Sequence, residues 1–418
     1  MPAFTPILMS EIRSRFAHVD SCPFQGPRIF FENAGGALTL NSVVETSARF
    51  AALPDNQGRD NPAAHALMEI IATAKQDMAT LFNPGGGQAF VGESGTELTF
   101  RLLRTAVMGT PQGTVIGSTV EHPASRSAAT HWAQQSGKLY ISVPHDNATG
   151  AVTAEAYAAR VTADVRVATI LHTSPVTGIA NDVASISAAI RAKAPEAFII
   201  VDGIQHASHG AIDIAAYDID GYVISPYKAF SRHGYGVAWV SDRLSDLPLE
   251  QLTNGPETNW EMGTRDTGAY ATFSDVVAYL NWLGSQHTSS ADPRLRIEAA
   301  SDAIRAHEKA LTQTMLHGTG NLPGLAELPG VTILGGIDNP GREGLVTFAT
   351  NTRPAAEIVN KLNSQGIRTH IRKADHYSGN ILAPLGLGAA VRVSLCHYNS
   401  PDEIAAFLAA MNGLGDAG

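Results

Sequence analysis

The chain has little cysteine. Cys22 and Cys396 are its two cysteines in 418 residues, and neither stands in a CxxC pair, which excludes a disulfide framework and a cysteine-built zinc site. Basic runs are also lacking. With a net charge of -10, nucleic acid and anionic membranes are not expected as partners. No uninterrupted apolar stretch reaches membrane-spanning length. The opening residues, MPAFTPILMSEIRSRF, carry charges and no long apolar core, so no signal peptide is expected. These absences point to a cytoplasmic protein.

What remains is ample core material. Hydrophobic residues make up 44% and charged residues 16%, an ordinary globular balance. A chain of this length exceeds what one core usually serves, which predicts two lobes. Short apolar runs at 89–91, 115–116, 167–172, 198–201, 221–224 and 237–240 alternate with helical periodicity. That alternation predicts an α/β fold with a mainly parallel, doubly wound sheet. Helices are expected at 7–19, 42–53, 63–81, 182–194, 270–283 and 292–316. After Asp242 the pattern changes, and strands at 331–334, 345–348 and 391–395 with helices at 354–365 and 401–412 predict a small α+β domain. The expected division is an N-terminal segment, 1–25, beside the small domain, a large domain over 26–285 and the small domain over 286–418.

The chemistry concentrates in 198–240, FIIVDGIQHASHGAIDIAAYDIDGYVISPYKAFSRHGYGVAWV. Asp202 ends one apolar run, and Ser225 and Lys228 follow another. Ligands of open α/β sheets collect at the carboxyl ends of strands, so the acid and the lysine are expected to face one crevice. Pyridoxal phosphate wants that pair: an amine for its Schiff base and a carboxylate for its pyridine nitrogen. Taken singly, Asp202 reads far more readily as a turn cap and Lys228 as a solvated loop lysine; the weight comes from the rest of the chain. The turn GESGT opens a helix, where amides and small hydroxyls meet the positive end of a helix dipole. His122 follows a strand in EHPAS, and Arg392 lies in the strand RVSL, suited to a carboxylate.

In these motifs the chain resembles the class V aminotransferase and cysteine desulfurase family, pyridoxal phosphate enzymes of fold type I, over nearly its whole length. The resemblance implies roles residue by residue. Lys228 would carry the cofactor, Asp202 would pair with the pyridine nitrogen, Gln205 would touch the phenolic oxygen and His122 would stack on the ring. Ser94, Gly95, Thr96 and Ser225 would hold the phosphate, with Thr264, in WEMGTR, reaching it from a second subunit of a homodimer. Asn33, Ala34 and Arg392 would receive the substrate carboxylate. No metal is implied.

Departures from the family narrow the reaction. Tyr227 stands where a histidine usually precedes the lysine, and Pro175 where the desulfurases carry asparagine. The segment IRTHIRKADHYSGN holds no cysteine, so persulfide-forming desulfuration is excluded. Aminotransferase-type chemistry on a small amino acid is expected. The alternatives are β-elimination, epimerisation, or a catalytically inactive regulator on the same fold. The charged loop His370, Arg372, Lys373, Asp375 and His376 reads equally as a selector of a polar or acidic side chain and as a solvated loop.

Overall fold

Residues 4–255 and 259–414 are described by a computed structural model, and in it the apolar runs of the large domain pair into one seven-stranded sheet. In chain order the strands are β1 (Gln88–Gly92), β2 (Thr114–Ser118), β3 (Leu139–Val143), β4 (Val165–Leu171), β5 (Phe198–Asp202), β6 (Gly221–Ile224) and β7 (Gly236–Val240). Their spatial order is β1-β7-β6-β5-β4-β2-β3. The pairs from β6 to β3 are parallel, and β7 runs antiparallel to both its neighbours. Strands of a covered parallel sheet read as continuous apolar runs, and all five residues of β5 are buried. Its side chains alternate between two cores. Ile199 and Val201 join the cluster containing Met78 and Phe273, from helices Pro62–Phe82 and Thr267–Ser285. Phe198 and Ile200 join Leu102 and Ala129, from helices Gly95–Gly109 and Pro123–Gln135.

The long helix Pro293–His317 leads to a four-stranded sheet of β8 (Val331–Ile333), β9 (Leu345–Thr350), β10 (His370–Lys373) and β11 (Ala389–Ser394), in spatial order β8-β9-β11-β10. Every pair in it is antiparallel. The N-terminal segment lies across the joint between the sheets. Phe16 packs edge-on to Phe230 and Tyr279, while Arg13 donates to the Tyr398 carbonyl at 2.6 Å.

Two expectations need correction, and one strand was not expected. The first helix spans Pro6–Ser14 and stops short of 19, because His18 takes a left-handed conformation (φ 56°). The strand β3 had no strong apolar signal because it is an edge strand, with Leu139 64% exposed. The charged segment expected as a loop is a strand over His370–Lys373, held by its ladder to β11. Among the described residues, no helix is long and apolar enough to cross a membrane.

Candidate active site

The carboxyl ends of β2, β5 and β6 place His122, Asp202 and Ser225 on one rim, and Lys228 follows Ser225 on a single tight turn. With Thr96 and Gln205 they line one cavity. A wider groove at Phe4, Arg13, His307 and Pro401 gathers no such set and lies elsewhere.

Asp202 is buried and fixed from two sides. Its Oδ1 accepts from the Ile204 amide at 3.1 Å and its Oδ2 from the Ser125 hydroxyl at 3.2 Å. Two donors hold the carboxylate in one orientation. Ser125 was not singled out in the sequence; it stands in EHPAS, one helical turn beyond His122.

Lys228 is buried, and among the described residues no hydrogen bond or ion pair engages its amine. Burial first, then the positive field of Arg392, pushes it down to about 8, against the opposing pull of Asp202. A fraction of the amine is therefore free base near neutrality, the form that attacks a carbonyl. The turn behind it is held tightly. The Ala37 amide donates to the Tyr227 carbonyl and the Leu40 amide to that of Phe230, both at 3.0 Å. Phe230 itself adopts φ 68°, a conformation costing a bulky residue about 1–3 kcal/mol. Its ring repays this by packing on Phe16, Tyr279 and His397.

His122 caps the helix Pro123–Gln135: its Nδ1 accepts from the Ala124 amide at 3.2 Å. Burial pushes it down to about 4. The ring is thus neutral at pH 7, and with Nδ1 accepting, its proton sits on Nε2. Glu121, just before it, is fully buried. Burial and the nearby Asp202 charge push that carboxyl up to about 7.

The turn before Gly95–Gly109 is a cradle. The Ser94 hydroxyl accepts from the Glu97 amide at 3.1 Å, while the first amides of the helix have no intrahelical partner. A Cβ on Gly95 would come within 2.3 Å of the Ser225 hydroxyl, and one on Gly236 within 2.6 Å of the Gly95 nitrogen. Only glycine at both positions lets the hydroxyl and the helix start converge.

Gln205 leads to a buried chain. Its Nε2 lies 3.2 Å from His209 Nε2, and His209 Nδ1 lies 2.7 Å from Glu308 Oε2. Burial opposes the charged imidazole, but the Glu308 carboxylate outweighs it and raises His209. The Gln205 oxygen has no partner among the described residues. Half a turn of the amide exchanges its nitrogen and oxygen, so the protonation of His209 decides which of them faces the cavity. Glu308 lies 99 residues from His209 in sequence, and no local motif announces it.

The substrate-side residues come from the small domain. Arg392 is 3% exposed and donates to the Pro175 carbonyl at 2.9 Å. Proline in place of asparagine offers the cavity no side-chain amide, and its backbone carbonyl is taken by Arg392. Asn33 is spent on structure. Its amide donates to the Ser394 carbonyl at 2.8 Å and the Phe30 carbonyl at 3.1 Å, and its oxygen accepts from the Tyr398 hydroxyl. The Ala34 amide donates to the Ser394 hydroxyl at 2.9 Å. Both residues tie the segment 33–36 to the strand of Arg392. The segment after β10 closes on the large domain: Arg126 donates to the His376 carbonyl at 2.9 Å, and Asn380 to the Thr119 carbonyl at 2.6 Å. Thr264 is exposed and is not brought to the cavity within one chain. Cys396 is buried, and burial raises its thiol well above the ordinary range. Among the described residues no group of histidines, cysteines and carboxylates is suited to a metal ion.

Comparison with known proteins agrees with this geometry. The family model described as aminotransferase class V matches residues 29–407. A cysteine desulfurase of Enterobacter sp. (strain 638) is 25% identical over 403 residues, covering 90% of this chain and 91% of that protein. A nonribosomal peptide synthetase-like enzyme of Aspergillus fumigatus is 26% identical over 397 residues, which is 90% of this chain and 25% of the other. The fold is that of the apo cysteine desulfurase from Thermococcus onnurineus NA1, with a TM-score of 0.81 at 18% identity over 99% of both chains.

Proposed function

The chain belongs to the class V aminotransferase family, pyridoxal phosphate-dependent enzymes acting on amino acids, and from that premise we propose that it performs aminotransferase-type chemistry on a small amino acid. The observation that carries this reading is the Lys228 amine, buried, unpaired and pushed down to about 8 beside Asp202 and His122. The cavity suits the cofactor on two further counts. The Gln205 oxygen is an orphaned buried polar atom on its wall, and the Gly95–Ser225 approach forms a cradle that a side chain would fill.

Asp202 would hold the ring nitrogen, His122 the ring face, Gln205 the phenolic oxygen, and Ser94, Gly95, Thr96 and Ser225 the phosphate. When bound, pyridoxal phosphate supplies a conjugated ring that takes up the electrons released at the substrate's α-carbon. Asp202, locked by Ser125 and Ile204, would present its carboxylate to the ring nitrogen. Lys228 would hold the group through its amine and, as a free amine, would be the base that moves the substrate's α-proton. His122, neutral, presents a flat face without adding charge. Arg392 keeps part of its guanidinium free for the substrate carboxylate, the rest being anchored on Pro175. Thr264 is proposed to act from the second subunit of a cytoplasmic homodimer, since its own chain leaves it exposed.

The test is a half-reaction on the reconstituted protein, followed in the cofactor's visible absorbance as single amino acids are added without keto acid. Bleaching that lasts until a keto acid restores the band is the expected result. Spontaneous recovery with release of ammonia and a keto acid would identify an eliminating lyase instead.

A further inference from the structure

The cavity that receives the substrate is overloaded with positive charge, and the pairing of β10 with β11 explains how. His370 lies directly opposite Arg392 in the antiparallel ladder, and Arg372 opposite Ala390. Directly paired residues share a face, and so do residues two apart. Arg372 and Arg392 therefore stand diagonally on the same face of the small sheet. The positive charge of Arg372 reaches Lys228, His122 and Arg392 alike.

Compensation is missing. The Nε atoms of Arg372 and Arg392 are both buried without a partner among the described residues. Arg372 makes no ion pair there, and the Asp375 carboxylate, which favours its charge, lies outside ion-pair distance. Glu32, the carboxylate acting on Arg392, already bridges Arg368 at 3.1 Å and His370 at 3.5 Å. Asp202 thus acts on Lys228, while Arg392 is left with the shared Glu32 and Arg372 with the more distant Asp375. Buried charges are ordinarily paired, and a guanidinium with a free edge matches a carboxylate or another planar or tetrahedral oxyanion.

We propose that Arg372 is the recognition residue for a second anionic group on the substrate, so that this site takes amino acids with acidic side chains. Arg392 holds the α-carboxylate and Arg372 the side-chain anion. The inference rests on the functional reading above and names its substrate class. A side-chain carboxylate, sulfinate or phosphate shares the required chemistry.

The experiment titrates the reconstituted enzyme with aspartate, glutamate, cysteine sulfinate and phosphoserine, each against a neutral counterpart (asparagine, glutamine, alanine, serine), reading apparent Kd from the cofactor's visible spectrum. At least one acidic ligand is expected to bind tenfold or more tightly than its neutral counterpart, and the best of them identifies the anion. In Arg372→Ala that preference disappears while alanine binds within about twofold of its original Kd; Arg372→Lys restores part of it. Equal binding of acidic and neutral ligands, or an equal loss for all in Arg372→Ala, overturns the proposal. Thermal unfolding of the cofactor-free protein separates this outcome from failure of the functional reading. Stabilisation by the acidic ligand alone, lost in Arg372→Ala, supports the anion site even where no cofactor band forms, and its absence there overturns it.

Discussion

The two walls of the site are built on opposite electrostatic plans. On the large-domain side, two groups are fixed by their own chain: Asp202 accepts two hydrogen bonds and His122 is neutral and caps a helix, while burial pushes Glu121 up to about 7. On the small-domain side, Arg392 and Arg372 keep buried nitrogens without partners. A wall whose carboxylate and imidazole are fixed by their own chain is suited to a resident group of fixed orientation. A wall left short of partners is suited to something that arrives and leaves.

The largest expected effect falls at the junction of the walls. Lys228→Ala should lower turnover by about 10²–10⁴-fold, the range for removing a positioned base, and a variant retaining half its activity would break the assignment of that lysine. On the unsatisfied wall, Arg392→Ala should weaken substrate binding by about 2–5 kcal/mol, the loss typical of one partner of a buried charge pair. Cofactor absorbance without substrate should stay as it was; its loss would mean that the two walls are not separable.

Glu121 sharpens the contrast from the settled side. Its folded value, about 7, lies above the ordinary 4.5, so the folded state keeps its proton where the unfolded state has released it. Stability therefore falls as pH rises from about 4.5 to about 7, and by about 3 kcal/mol in all, at 1.36 kcal/mol per unit. Glu121→Gln cannot ionise. Denaturant unfolding of the cofactor-free variant should match the wild type near pH 4 and exceed it above pH 7; parallel pH profiles would sink the idea. The smallest expected effect belongs to the buried chain behind Gln205. Glu308→Gln removes the charge that raises His209, and turnover should drop about tenfold with a shifted pH profile of the cofactor band. A drop without any spectral shift would leave only a packing role.

The same two walls differ in how far the sequence discloses them. Asp202, Ser225, Lys228 and His122 each follow a strand end within a short motif, and the parallel strand order brings those ends together without further information. The apolar runs and capping residues that mark the strands and helices are likewise local. The small-domain wall is set by register between β10 and β11, where a slip of one residue would turn Arg372 to the other face. Its charges were visible, but as a loop. The hydrogen bonds of Asn33 were not legible, because its partners Ser394 and Tyr398 lie more than 360 residues away. The Glu308 contact to His209 spans 99 residues and joins the helix Pro293–His317 to the segment after β5. Contacts of that range have no sequence signature in a single chain.

The most direct test of the central claim is chemical trapping. The protein is incubated with pyridoxal phosphate, reduced with borohydride, digested and mapped by mass spectrometry. A single cofactor adduct on the peptide containing Lys228, absent from Lys228→Ala and weakened in Asp202→Asn, is the predicted result. An adduct spread over surface lysines, or none at all, would contradict the account built on Lys228.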